Sequence, residues 1–361
     1  HKIKSMLERA SSLEGLATIS KDWDKDPLLF QCSNGVAILN TQEFVKGKPE
    51  WMISQNSGVE YDLKAECPVF DKFILDIMGG DKELANYLLL CMGYSLSGST
   101  DEQCMFLLVG DGSNGKSVFL ELMSAIYGEY HQHSRFDAFL KKYNNTSSHD
   151  LARLHNARVV TANESGISKH WDEGKIKEIT GSDNVTARYL YQGHFTFKSQ
   201  IKLWCATNNL PKVDDFTPAF WRRIKVIPFN RRFEGDDRDP DMIDKLKSEL
   251  SGILNRIIKG FREWTETGLS NLPYQVKQAV EDYRNESDVV AQFIADRITD
   301  VGDYDVSITA KQMYEQYKEW HEENADGKHL SIQAFGRRMN QLGHESEKIG
   351  GIRKYFGLEV G

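Results

Sequence analysis

Along the 361-residue chain the spacing of apolar and polar positions changes character twice. From residue 1 to about 98, helical stretches alternate with a hairpin. "NGVAILNTQEF" joins an Asn-Gly turn to a short apolar strand, a hairpin signal. "DKELANYLLLCMGYSLSG" has apolar residues at helical spacing and ends at glycine, which predicts a helix. From about 99 to 265 the pattern shortens. "MFLLV", "ARVVTA", "IKLWCATNN" and "IKVIPF" read as buried strands, and "KSVFLELMSAIYG" as a helix stopped by Gly128. Short apolar strands separated by helices predict a parallel sheet covered on both faces. Between the second and third strands, "VTARYLYQGHFTFKS" sets aromatic and β-branched residues around a Gln-Gly-His tip, which predicts a β-hairpin.

Gly and Pro interrupt the helical pattern in "TGLSNLPYQ" and mark a boundary. From about 285, three helical patterns precede "HESEKIGGIRKYFGLEV", two short strands around Gly350 and Gly351. Three helices followed by such a wing form the winged-helix pattern, with Ser331 to Leu342 as its last helix. The expected fold class is therefore α/β. The expected divisions are an N-terminal domain at 1–98, a parallel-sheet core at 99–268, a linker helix at 269–284 and a winged helix at 285–361.

Composition narrows the setting. Hydrophobic residues make up 40% of the chain, enough for a core. No run of about 18 apolar residues occurs, so no membrane span is expected. Five scattered cysteines without a CxxC pair predict free buried thiols in a reducing, cytoplasmic compartment. The chain begins at His1 without a signal-peptide pattern, as a processed chain or a piece of a longer one would. A net charge of −8 argues against a protein coated in nucleic acid. It leaves room for DNA at a local basic patch.

The most informative chemistry lies in "FLLVGDGSNGKSVFLEL". Gly110-x-x-x-x-Gly115-Lys116-Ser117 is a complete phosphate-loop signature between a strand and a helix. Its glycines let successive N–H groups face phosphates, and the helix N-terminus adds positive partial charge. The expected nucleotide-binding set is Gly110, Gly112, Ser113, Asn114, Gly115, Lys116, Ser117 and Val118. Lys116 should reach the β- and γ-phosphates, and Ser117 should ligate Mg²⁺. Kinases, GTPases and motor ATPases all use such a loop, so other residues must decide. "RVVTANES" puts Glu164 at the carboxyl end of a buried strand, where ligands bind. A carboxylate there orients the attacking water, or holds Mg²⁺ through a water. "LWCATNN" places Asn208 and Asn209 at another strand end. An isolated Asn-Asn is more often a turn, so its weight comes from spacing to the other parts. In "FWRRIKVIPF", Arg222 and Arg223 precede a strand. Arginine near a γ-phosphate neutralises transition-state charge, often from a neighbouring molecule. The alternative is a solvated or salt-bridged surface pair.

Taken together, "GDGSNGKS", "ARVVTANES", "TGSDNVTARYLYQGHFTF", "LWCATNNLP" and "FWRRIKVIPF" resemble the motifs of superfamily 3 helicases. They are most similar to the primase-helicases of phages, plasmids and satellite elements, relatives of the poxvirus replication helicase. "NGVAILN", "YDLKAECPVFDKFI" and "LLLCMGYSLSG" resemble that family's N-terminal domain. "VSITAKQMYEQYKEWHEEN" and "LSIQAFGRRMNQLGHESEKIGGIRKYFGLEV" resemble its C-terminal winged helix. The resemblance implies an AAA+ ATPase assembled as a hexameric ring, encoded by a phage or mobile element of a bacterial host. It implies ATP hydrolysis between subunits, with Arg222 or Arg223 reaching the neighbour's site. It also implies a pore hairpin that tracks single-stranded or forked DNA, moving 3′ to 5′. Carried over residue by residue, Glu164 matches the acidic motif and Asn208 the sensor position. In one departure, Asn163 stands where many members have a first acid. Mg²⁺ would then be held mostly by Ser117, and Glu164 is the strong base candidate there.

Arg188, His194 and Lys198 lie on or beside the hairpin and are the expected DNA contacts, since a pore following phosphates needs cations and donors. Each has a plainer alternative: an ATP-interface role for Arg188, a turn for His194, a solvated strand end for Lys198. Arg337, Arg338, Lys348, Arg353 and Lys354 give the winged helix a positive excess suited to a DNA backbone. Packing between subunits is the alternative. His131, His133, His149 and His155 lack partners at ligand spacing, so zinc is not expected. "KEWHEEN" reads as a solvated helix face. No primase cluster is present, so any priming would belong to an upstream region or a partner. A replication initiator or loader regulated by ATP is the competing function. A small-molecule kinase would leave the Asn-Asn and Arg-Arg elements without a role.

Overall fold

A computed structural model describes residues 2–13, 18–19, 22–141, 151–164, 170–189, 193–325 and 329–361. It divides into two compact units, His1–Val280 and Glu281–Gly361.

The first unit opens with three strands, β1 (Leu29–Cys32), β2 (Gly35–Ile38) and β3 (Glu43–Val45), paired antiparallel in that order. Cys32 and Gly35 close the first hairpin, so the Asn34-Gly35 turn falls where the sequence placed it. Helices Pro68–Ile77 and Lys82–Leu96 follow. Asp81 caps the second by accepting from Leu84 N. The first has no side-chain cap of its own. Instead the Glu249 carboxylate accepts from Val69 N and Phe70 N at 3.1 and 2.9 Å. A residue about 180 positions away thus satisfies donors that every helix start leaves open. Helix Lys82–Leu96 packs on Leu250–Thr267. A Cβ on Gly93 would lie 2.1 Å from Phe261 N, and one on Gly260 would lie 2.4 Å from Leu89 O, so only glycine permits this approach.

The centre of the unit is a five-stranded sheet. Its members are β4 (Met105–Val109), β5 (His131–Arg135), β6 (Val159–Asn163), β9 (Lys202–Thr207) and β10 (Ile224–Pro228). All pair parallel, in the order β10-β4-β9-β6-β5. The three inner strands β4, β9 and β6 are nearly or wholly buried, as strands covered on both faces must be. Phe106 and Trp204 meet between them at 4.2 Å. A separate ribbon, β7 (Asn184–Arg188) with β8 (His194–Lys198), forms the expected hairpin. Its tip, residues 190–192, lies outside the described residues.

The strand order creates the site. After β4 the chain crosses to the β5 edge, whereas after β9 it crosses over to β10 on the other side. Neighbouring strands whose connections depart in opposite directions leave a crevice at their carboxyl ends, where such sheets bind ligands.

The second unit contains helices Val289–Arg297, Ala310–Asn324 and Ile332–Gln341. It also contains strands β11 (Ile298–Asp300), β12 (Ser307–Thr309), β13 (Glu347–Ile349), β14 (Ile352–Phe356) and β15 (Leu358–Val360). β13 and β14 pair antiparallel around Gly350 and Gly351. β12 joins the other side of β14, and β11 pairs with β15. Phe293, Tyr317, Trp320 and Phe335 form its aromatic core. The run "KEWHEEN" departs from the sequence reading: Glu319, Glu322 and Glu323 are exposed, but Trp320 and His321 are buried. Among the described residues no helix is long and apolar enough to cross a membrane. All five cysteines are buried and free. Burial pushes the thiols of Cys32, Cys67 and Cys104 up to about 12, so they are poor nucleophiles.

Candidate functional site

The loop after β4 is shaped by two glycines. Gly115 has φ +87°, a conformation that L side chains rarely adopt. A Cβ on Gly110 would lie 2.3 Å from Phe229 O. Asn114 fastens the loop there, its Nδ2 donating to that same carbonyl at 3.1 Å. Helix Lys116–Tyr127 starts at once, directing its free N–H groups at the crevice.

Lys116 is buried, yet its Nζ lines the cleft. It donates to Gly110 O and, across the crevice, to Asn208 Oδ1 at 3.1 Å. Burial lowers its pKa, and nearby Asp111 opposes the shift. A desolvated ammonium held by two neutral acceptors is poised to gain from an incoming anion. On the next strand end, Glu164 N donates to Ala206 O at 3.0 Å. The Glu164 carboxylate accepts from the Thr207 hydroxyl, with Asn209 N at 3.5 Å. Ser117, Asn163, Glu164, Thr207, Asn208 and Asn209 therefore surround one cleft of about 290 Å³. The exposed Ser117 hydroxyl and the Glu164 carboxylate are hard oxygen donors of the kind Mg²⁺ takes, so these residues fit that ion. A second cleft of about 780 Å³ opens from the other side of the loop. It shares Gly112, Ser113, Asn114, Gly115, Lys116, Ser117, Val118 and Asn208 with the loop region.

Three sequence-predicted residues come together on the ribbon. Arg188 stands directly opposite His194, and Lys198 opposite Asn184. Side chains alternate across strands, so Arg188, His194 and Lys198 share one exposed face. Val185, Ala187 and Phe197 are buried on the other.

Others are kept apart. Arg222 and Arg223 sit at the amino end of β10, level with the start of β4 and one strand length from Lys116. Arg222 is exposed and donates to Gln103 Oε1 at 2.8 Å. Arg223 is buried and donates to Ala219 O and Gln103 Oε1. Arg338, expected on a DNA-contacting surface, is instead buried. It pairs with the buried Asp288 through Nε at 3.0 Å and through Nη2. The reason is helical phase: Arg338 lies three residues after buried Phe335 and one before buried Met339. Arg337, Lys348 and Arg353 are exposed, and Lys354 is half-buried. His149 lies outside the described residues.

Sequence reasoning passed over Thr207, which holds Glu164, and Phe73, Arg231 and Phe233, which line the second cleft. Thr207 could have been found as the last residue of a strand ending beside Asn208.

Strand, glycine loop and helix, with a lysine, an amide and a carboxylate converging at a strand-order crevice, define a P-loop-type α/β protein. Comparison with known proteins narrows this class. Residues 1–79 match the family described as "D5 N terminal like". Residues 108–223 match a family of unknown function, DUF5906. A helicase-named protein of Acanthamoeba polyphaga mimivirus is 29% identical over 330 residues, covering 85% of this chain and 34% of that protein. One of Invertebrate iridescent virus 3 is 25% identical, covering 86% and 36%. A primase-named protein of African swine fever virus is 21% identical, covering 94% and 38%. The chain thus spans about a third of the length of these curated relatives. The fold resembles the apo structure of the NrS-1 C-terminal region, with TM-score 0.53, 15% identity, and coverage of 84% of this chain and 78% of that one. These likenesses support kinship with the primase-helicases of phages and viruses.

Proposed function

We propose that this chain is the motor of an ATP-dependent replicative DNA helicase of a phage or mobile element, working in the host cytoplasm. The observation that carries this reading is the convergence of Lys116, Asn208 and Glu164 at the crevice between β4 and β9. The triphosphate of ATP takes the loop, and the Lys116 ammonium passes from Asn208 to the β- and γ-phosphates. Asn208 is then free to face the attacking water. Glu164, held by Thr207, orients that water. Ser117, with Glu164 through a water, would hold Mg²⁺, which neutralises charge developing on the phosphates.

Arg222 cannot serve this site within its own chain. A strand rises about 3.3 Å per residue, and the five-residue length of β4 separates the two ends. Its exposure at the amino end supports a role in a neighbouring copy, in an AAA+ ring, by family resemblance a hexamer. Arg223 is the less suited of the pair because its guanidinium already bonds within the chain. The exposed face of the β7–β8 ribbon supplies cations for a single strand in the pore. The second unit is read as a winged helix, and Arg337, Lys348 and Arg353 as its backbone contacts. That patch also favours a second reading, an ATP-regulated initiator or loader that binds DNA and unwinds little.

The test is ATP-dependent separation of forked DNA by wild type and Lys116→Ala. The helicase reading expects unwinding by wild type only. Equal ATP-dependent unwinding by both rejects it. Site-specific footprinting without unwinding would select the loader.

A further inference from the structure

The second unit holds a groove that contacts to a DNA backbone leave unexplained. It measures about 520 Å³ and lies between helix Ile332–Gln341 and strand β14. Such a volume is ordinary for a small-molecule site. Ile332, Gly336 and Asn340 stand about one turn apart on the helix face that lines it. The middle one has no side chain, which leaves the groove open. A Cβ on Gly336 would meet nothing nearer than the Tyr355 hydroxyl, at 4.0 Å. Tyr355 is 2% exposed and lines the groove, yet its hydroxyl has no hydrogen-bond partner among the described residues. A polar group so nearly buried, without a protein partner, is ready to bond a ligand.

The charges narrow the ligand. Arg337 and Arg353 line the groove, and among the described residues no carboxylate does. Arg353 and Tyr355 leave β14 on one face, and Lys348 of β13 stands opposite Arg353. Glu347 and Lys354 pair one position along, so they project from the other face. The rim therefore attracts anions, while the Tyr355 hydroxyl and the Gln333 amide offer hydrogen bonds beside it. An apolar peptide side chain seated here would leave that hydroxyl unpaired. A base within a duplex has its pairing edge already occupied. What fits is an unpaired base with a phosphate on either side. We infer that this groove takes one unpaired nucleotide of single-stranded DNA, its base edge against Gly336 and Tyr355 and its phosphates on Arg337 and Arg353. The unit then tells a single strand from a duplex. The inference deepens, and rests on, the reading of those arginines as backbone contacts, and the experiment separates the two.

Fluorescence anisotropy on the full chain compares a labelled single strand with a strand of equal length made of abasic sites, for wild type, Gly336→Leu and Tyr355→Phe. The leucine fills the groove from a position that tolerates its Cβ, and the phenylalanine removes only the hydroxyl. Wild type should bind the strand with bases more tightly than the abasic one. For the strand with bases, Gly336→Leu should lose affinity by about 10-fold or more and Tyr355→Phe by about 3-fold or more. Both should bind the abasic strand as wild type does, which also reports that they are folded. Unchanged affinity of either variant for the strand with bases, or an equal loss for both strands, overturns the inference. So does a wild type that does not distinguish the strands. An Asp-rich peptide bearing Leu that binds wild type but not Gly336→Leu, while both bind the strand with bases equally, gives the groove to a protein partner instead. Abasic binding that Arg337→Ala leaves unchanged overturns the backbone reading itself, and this inference falls with it.

Discussion

The two ends of the central sheet handle buried cations in opposite ways. At the amino ends of β6 and β9, Arg158 and Lys202 are sealed from solvent. Arg158 donates to Leu96 O at 2.6 Å and Leu29 O at 2.9 Å. Lys202 donates to the carbonyls of Ser97, Gln200 and Ser99, the last two at 2.8 and 3.3 Å. These contacts tie β1 and the end of helix Lys82–Leu96 to the sheet. At the carboxyl ends Lys116 is also buried, but it has two acceptors and an open cleft beside it. Cations sealed against backbone carbonyls hold a fold together, and one that also faces a cavity is available for a ligand.

The comparison is sharpened most by removing the two lysines separately. Lys116→Ala should reduce ATP hydrolysis by at least about 100-fold, because it removes the group placed against developing charge. Its melting temperature should stay near that of wild type, since a desolvated ammonium is lost with few partners. Lys202→Ala should do the reverse. Three carbonyls lose their donor, at a cost of about 2–4 kcal/mol, seen as a drop of roughly 5–10 °C in melting temperature. Hydrolysis per folded molecule, measured well below that transition, should survive. Matching stability losses for both variants would break the contrast.

Arg338 extends the sealed class to the second unit. Arg338→Ala leaves Asp288 buried without its partner, which costs about 3–5 kcal/mol. Asp288 also accepts from Ala291 N at the start of helix Val289–Arg297. Arg337→Ala, one residue away and exposed, should leave the melting temperature of the chain unmoved and weaken DNA binding at low salt. Equal thermal shifts for the pair would refute the assignment of Arg338 to structure.

A smaller effect tests an open-side carboxylate. Asp214 pairs with His170 at 2.9 Å and Lys141 at 2.7 Å. Its hydrogen bond to His170, joined by Lys141, lowers its pKa from 3.8 to about 2. A depressed carboxylate pKa stabilises the fold above the unfolded value, and that stability is lost as pH falls through the folded value. Asp214→Asn should therefore be slightly less stable than wild type above pH 3.8. The gap should close as pH falls toward about 2. The group is partly exposed, so about 1 kcal/mol or less is expected. A gap that widens on acidification would contradict this.

Much of this was legible in the chain. The loop, Glu164 and Asn208 were readable because each follows a run of apolar strand residues, and such runs announce their own ends. Strand β5 was not, because "HQHSR" has no apolar run and only Ser134 is buried. It is an edge strand defined by its pairing with β6. Arg338 was misread for want of phase, although Phe335 and Met339 flank it on the buried face. The cleft around Phe233 was invisible because it joins Phe73 to residues about 160 positions later, a juxtaposition that only the tertiary fold makes.

The central claim is that the crevice at Lys116 is completed by Arg222 from another copy. Its most direct test is the ATPase activity of Arg222→Ala and Lys116→Ala chains mixed before assembly, with exchange verified by mass. Each variant alone should be nearly inactive. The mixture should recover activity, because some interfaces then pair an intact loop with an intact arginine. A verified mixture that stays at the level of its two parts would contradict the account.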